Sequence, residues 1–289
     1  MQKADSFDRI PVVCLFFAEF CGREIFIMLA MGRKILITGG KGGVGKTSFT
    51  ASIGRCLGLV GKKTVLVDGD IGLNNLDVAL NAEDKIIYDV GDVASGKATI
   101  GQALIKIEPN LYLMPSVTAC SSFVTDEIFK EIIDEVATEA DYVFIDCPAG
   151  LERNFLRAAK CTDESIIVTT PHLSGVRDGY KTAKILAGLG YNEQSLVVNR
   201  VKYGNVEKNL SLSPEEIAEA MRLELIGIIP ESGNVDVSGI ADVSSKKDPA
   251  AISYRMIADY LTGRGKRLFD YRKNGRSLRS VIGRIKESL

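Results

Sequence analysis

The stretch RKILITGGKGGVGKTS, Arg33–Ser48, decides the reading of this chain. A short apolar run leads into a glycine-rich turn, and a helical pattern follows. Gly40, Gly45, Lys46 and Thr47 fit the G-x-x-x-x-G-K-[ST] spacing of a phosphate loop. Glycines allow backbone N–H groups to close around phosphate oxygens, and a helix N-terminus adds partial positive charge. The backbone of Gly42, Gly43, Val44, Gly45, Lys46, Thr47 and Ser48 is therefore the expected phosphate cradle. Lys46 is placed to reach the β- and γ-phosphates, and the Thr47 hydroxyl to ligate Mg²⁺.

Outward from this loop the chain alternates apolar runs with helical stretches. Strands are expected at KILIT (34–38), TVLVD (64–68), LYLMP (111–115), YVFIDCP (142–148), SIIVTTP (165–171), SLVVNR (195–200) and LIGIIP (225–230). Most are continuously apolar and rich in Val and Ile, the composition of strands covered on both faces. Helices are expected near 47–60, 125–139, 151–159, 174–189, 214–222 and 249–261. The alternation predicts an α/β fold: a doubly wound, mainly parallel sheet with helices on both faces. Ligands of such sheets sit at the carboxyl ends of the strands. There lie Asp146, in the Walker B position with a water-mediated role toward Mg²⁺, and Asp68 and Asp70, whose carboxylates could orient a water and the metal's shell.

Composition narrows the function classes. The 289 residues carry a net charge of −1, so no global field recruits nucleic acid. Six cysteines, Cys14, Cys21, Cys56, Cys120, Cys147 and Cys161, form no C-x-x-C pair, which fits reduced thiols and argues against a cysteine zinc site. His172 is the one histidine and leaves little room for triad chemistry. Ile10–Ala30 holds two apolar runs interrupted by Glu19, Arg23 and Glu24, which speaks against a membrane span, and its flank and missing cleavage site speak against a signal peptide. Residues 1–30 read as a non-native or poorly ordered extension, with the natural start at Met31 or Met28. Residues 31–263 read as the catalytic domain. The segment 264–286 sets nine basic residues against Asp270 and opens a basic tail, 264–289. Within it Leu278, Val281, Ile282, Ile285 and Leu289 share one helical face over 277–289, the pattern of a helix lying on an anionic membrane surface.

KGGVGKTS, VLVDGDIGLNNLDVAL, FIDCPAGLE, TTPHLSGVRDG, VVNRV and GIIPES, in this order, resemble segments of the MinD/ParA family of deviant Walker A P-loop ATPases over about residues 31–263. The resemblance implies an enzyme using ATP and Mg²⁺ that forms a homodimer on ATP. Lys41 then reaches the partner's phosphates, Asp70 and Asp68 serve water positioning and switching, and Asn199, Arg200 and Pro230 line the adenine side. It also implies reversible peripheral association with the inner face of the cell membrane, and control of septum placement through a MinC-like division inhibitor and a MinE-like or DivIVA-type regulator. A ParA-like DNA-partition ATPase and a flagellar-number regulator of the same family stay open as alternatives. Asn74 and His172 depart from the family pattern, and Asp178 stands where relatives contact partners.

Overall fold

Strand β1 (Arg33–Thr38) occupies the middle of the sheet, and its alternation explains the layering. Ile35 and Ile37 point into one apolar layer and Leu36 into the other, all fully buried. A strand buried on both faces cannot alternate with polar residues, which is why these strands read as unbroken apolar runs. The computed structural model describes residues 31–70, 75–117, 124–148, 150, 153–232 and 240–274. The readings made on residues 1–30, Asn74, Cys120 and the helix at 277–289 lie outside them.

The chain continues through α1 (Lys46–Leu59), β2 (Thr64–Asp68), α2 (Leu76–Leu80), α3 (Val90–Ala94), α4 (Ile100–Ala103), β3 (Ile105–Glu108) and β4 (Leu111–Met114). Then come α5 (Asp126–Glu139), β5 (Tyr142–Asp146), α6 (Arg153–Lys160), β6 (Glu164–Thr169), α7 (Leu173–Gly188) and β7 (Gln194–Val201). Last are α8 (Tyr203–Glu207), α9 (Pro214–Met221), β8 (Glu224–Pro230), α10 (Pro249–Leu261) and α11 (Tyr271–Asn274). The eight-stranded sheet has the order β3-β4-β2-β5-β1-β6-β7-β8. All neighbours are parallel except β3 and β4, so the doubly wound, mainly parallel reading holds. Helices α1 and α10 cover one face with Phe49, Ile53, Leu57, Tyr254 and Ile257. The other face is covered by α5 and α6 through Phe129, Ile133 and Phe155, and beyond them by α7 and α9 through Val176 and Ile217.

Capping separates α1 from α5, α9 and α10. Thr125 caps α5 by accepting from Ile128 N, Ser213 and Glu216 form a capping box on α9, and Asp248 caps α10 by accepting from Ala251 N. Helix α1 starts at Gly45 with no side-chain cap, which leaves its N-terminal N–H groups available to an outside acceptor.

The packed body also runs past Gly263, where composition alone puts the end of the domain. Phe269 and Tyr271 are buried beside Ile217 and Ile228, and the Tyr271 hydroxyl donates to Glu215 at 3.1 Å. Lys266 pairs with Glu224 at 2.7 Å, Arg267 with Asp259 at 2.8 Å and Arg272 with Glu215 at 3.2 Å. Three of the basic residues at the start of the tail thus face acids of the domain, and two aromatics hidden among them fasten the strand edge.

Candidate functional site

The site lies where β1, β2 and β5 end side by side. Register places Asp68 opposite Asp146 and Ile37 opposite Asp146, so the phosphate loop leaving β1 passes directly over two carboxylates. The loop needs glycine for two different reasons. Gly45 has φ 94°, and a Cβ there would stand 2.4 Å from Asn199 Nδ2. At Gly40 a Cβ would fall 2.2 Å from the Asp178 carbonyl oxygen, so the loop's first turn seats directly on α7. Asn199 Nδ2 donates to the Val44 carbonyl at 2.9 Å and holds the loop from the β7 side.

Under the loop, Thr47 Oγ1 donates to Asp146 Oδ2 at 2.6 Å and Thr50 Oγ1 lies 3.2 Å from Asp146 Oδ1. Asp146 is 4% exposed and Lys46 7% exposed. Burial, with the like charge of Asp68, pushes the Asp146 carboxyl up to about 7, even though Thr47, Lys46 and Thr50 favour the anion. Asp68 is pushed up to about 6, again chiefly by burial. Its Oδ1 accepts from Asp70 N at 2.9 Å, while Oδ2 accepts from Asn75 N and Leu76 N, both at 3.0 Å. Asp68 therefore ties the two ends of the loop after β2 to each other. Asp70 is half-buried, raised above the usual carboxylate range by desolvation, and opposed in this by the charge of Lys46.

This donor set fits a nucleotide with its magnesium. An uncapped helix start meets phosphate oxygens, and a hydroxyl beside a buried carboxylate completes a hard cation site of oxygen ligands. The two carboxylates sit above their usual range chiefly because they are buried, and a divalent cation would offset that penalty.

Two cavities flank the loop. One of about 260 Å³ is lined by Ser48, Asn199, Arg200, Pro230, Ser232 and Tyr254. The other, about 430 Å³, is lined by Lys41, Gly43, Thr170, His172, Lys202 and Glu231. Arg200 borders both, and its left-handed φ of 57° follows a register shift in β7 between Val198 and Val201. Its N–H donates to Asn199 Oδ1 at 2.9 Å, which steadies the bend and turns the guanidinium outward. Lys41 is exposed, and among the described residues it has no hydrogen bond or ion pair. His172 is exposed at the start of α7 and makes no capping bond.

The structure thus gathers the loop, Asp68, Asp70, Asp146, Asn199, Arg200 and Pro230 at one end of the sheet. Lys41 stands apart at the rim. Sequence reasoning overlooked Thr50 and Tyr254. Thr50 was within reach of it, since it follows Thr47 by three residues and shares its helix face. Tyr254 was not, because nothing local links α10 to the site. Cys56, Cys147 and Cys161 are buried thiols pushed up to about 12 by burial, which suits a structural role. Among the described residues no cluster of three or more His, Cys, Asp or Glu side chains is arranged to hold a metal, and no helix is long and apolar enough to cross a membrane.

Comparison with known proteins agrees with this geometry. Residues 35–240 match the model of the CobQ/CobB/MinD/ParA nucleotide binding domain. The septum site-determining protein MinD of Bacillus subtilis is 40% identical over 245 residues, 81% of this chain and 90% of its own. MinD in a MinC:MinD cell division complex from Aquifex aeolicus superposes with a TM-score of 0.76 at 35% identity, covering 82% of this chain and 98% of that one. MinD of Pyrococcus horikoshii, solved with Mg-ADP, gives a TM-score of 0.70 at 30% identity over 80% of this chain and 96% of that one. A phosphate loop on an uncapped helix, a buried hydroxyl–carboxylate pair beneath it and these likenesses lead to one conclusion: the chain belongs to the MinD/ParA family of P-loop nucleotide-binding proteins, among the MinD proteins.

Proposed function

We propose that the protein is an ATPase that dimerises on ATP, associates reversibly with the inner face of the cell membrane, and helps place the division septum by recruiting a MinC-like inhibitor. One observation carries this reading. The site contains two lysines on a single loop, one sunk beneath the phosphate cradle and one exposed with no partner among the described residues. Lys46 and the N–H groups of Gly42–Ser48 hold the phosphates. Thr47 and Asp146 hold Mg²⁺, which when bound neutralises charge on the phosphates. Asp70 orients the attacking water, and Asp68 keeps the loop carrying Asp70 in place. Arg200, Pro230 and Tyr254 enclose the base, with Asn199 fixing the loop behind it. Lys41 completes the partner protomer's site, which delays hydrolysis until two copies meet. A low intrinsic rate, stimulated by a MinE-like or DivIVA-type regulator, follows from a site that is incomplete in one copy.

Residues 277–289 supply the membrane contact. One short amphipathic helix binds weakly and two bind together, so attachment depends on the ATP dimer. A DNA-partition role has less support, because Lys266, Arg267 and Arg272 are already paired with acids of the domain.

The test is cosedimentation of the full chain with vesicles rich in anionic lipid, in ATP and in ADP, repeated with 277–289 removed and with Lys41→Ala. ATP-dependent sedimentation that is lost in both variants supports the proposal. Sedimentation indifferent to nucleotide or to the tail overturns the membrane switch, and DNA binding that persists at moderate salt promotes the partition reading.

A further inference from the structure

Both oxygens of the Asp146 carboxylate face hydroxyls from α1. The Thr47 hydroxyl at Oδ2 belongs to the phosphate-loop pattern, whereas the Thr50 hydroxyl at Oδ1 is not required by it. Thr50 is completely buried. Its hydroxyl has one proton and two possible acceptors, Asp146 Oδ1 at 3.2 Å and the Lys46 carbonyl at 3.0 Å. The Lys46 carbonyl already accepts the helical N–H of the same residue, while the Asp146 carboxylate, in the ionised form that a cation site uses, is the stronger acceptor. Among the described residues no other donor reaches the Asp146 side chain.

The consequence concerns rotation. The terminal torsion of an aspartate is soft, and a single hydrogen bond at one oxygen leaves the carboxylate plane free to swing. Thr47 and Thr50 lie three residues apart on one helix face, so they grip the two oxygens from a single rigid element. We propose that Thr50 is a positioning residue for the divalent-cation site, locking the plane of Asp146 so that the Thr47–Asp146 pair is preformed before the cation arrives. This rests on the reading of Thr47 and Asp146 as the Mg²⁺ site. Thr50 touches neither cation nor nucleotide and acts through Asp146 alone.

The experiment is a Mg²⁺ titration of the full chain binding a fluorescent N-methylanthraniloyl ADP, with a parallel series in EDTA. Thr50→Val removes the hydroxyl and keeps the shape, and Thr50→Ser keeps the hydroxyl. In EDTA both variants should bind the probe within about twofold of wild type. With Mg²⁺, Thr50→Val should need about 5–30-fold more cation for half-maximal effect, the cost of leaving a buried acceptor unmade, and Thr50→Ser should restore most of it. In an Asp146→Asn background Thr50→Val should add less than about twofold, since coupling through Asp146 is the whole effect. A Thr50→Val protein with wild-type Mg²⁺ dependence overturns the inference, as does a loss that Thr50→Ser leaves unrepaired or that persists undiminished with Asp146→Asn. If Thr50→Val does not fold, Thr50→Ala replaces it in the same titration. A wild-type protein whose probe affinity ignores Mg²⁺ overturns the cation-site reading itself, a result distinguishable from a failure at Thr50.

Discussion

The floor of the site and its rim are built on opposite principles. On the floor, Lys46, Thr50, Asp68 and Asp146 are buried, and both carboxylates spend their oxygens on hydroxyls or backbone N–H groups of the same protomer. On the rim, Lys41 and Arg200 are exposed, and the Lys41 ammonium has no partner among the described residues. A buried polar group without a partner is costly, whereas an exposed cation is satisfied by water and gives that water up only to something better. The floor is therefore finished by folding, and the rim is finished by association.

The two lysines test this contrast most severely. Lys46→Ala should weaken ADP binding about 1,000-fold, roughly 4 kcal/mol, read by calorimetric titration. Lys41→Ala should leave ADP affinity of the single protomer within about twofold, yet abolish ATP-dependent dimerisation measured by light scattering. Equal losses of ADP affinity in the two variants would erase the distinction between floor and rim.

A smaller effect concerns the strain of the floor. The Asp146 and Asp68 carboxyls sit at about 7 and about 6, above the unfolded value near 4. Between those limits the folded, ligand-free protein holds more protons than the unfolded chain. Stability therefore falls as pH rises from about 4 to 7, and the deficit is complete above that window. Asp146→Asn removes much of it, so the ligand-free variant should exceed wild type at pH 8 by about 1–2 kcal/mol in thermal melts and converge with it near pH 4. With Mg-ADP the order should reverse, because only the wild type gains full ligand stabilisation. A ligand-free Asp146→Asn protein weaker than wild type at pH 8 would mean that the floor is relaxed rather than poised.

The smallest effect is expected on the rim. Lys202 pairs with Glu231 at the edge of the larger cavity, with both side chains well exposed. Lys202→Ala should cost no more than about 0.5 kcal/mol in urea unfolding, as exposed pairs generally do. A cost above about 2 kcal/mol would place this pair with the floor.

The same contrast explains what sequence could reveal. Floor residues are dictated by local chemistry: glycines where the backbone must turn or pass closely, a hydroxyl after Lys46, an acid at the end of an apolar run. Gly45, Thr47 and Asp146 were therefore legible, and so were the central strands, because burial on both faces leaves no polar interruption. Strand β3, IKIE, escaped because a half-exposed antiparallel edge strand of four residues carries almost no pattern. Asn199 was legible as a residue type, but its grip on the Val44 carbonyl depends on a strand distant in sequence. Phe269 and Tyr271 were masked by the basic residues around them, since composition averages over the two side chains that pack.

That last pair has a mechanical consequence. Because Tyr271 is buried and its hydroxyl is held by Glu215, the chain is anchored at one corner beside α9. Phe269 and Tyr271 flank Asp270 and are both buried against the same layer. Loosening this corner would therefore uncover two aromatic rings at once, together with the hydrogen bond to Glu215. A segment that composition marks as loose and basic is thus held as firmly as the helix it packs on.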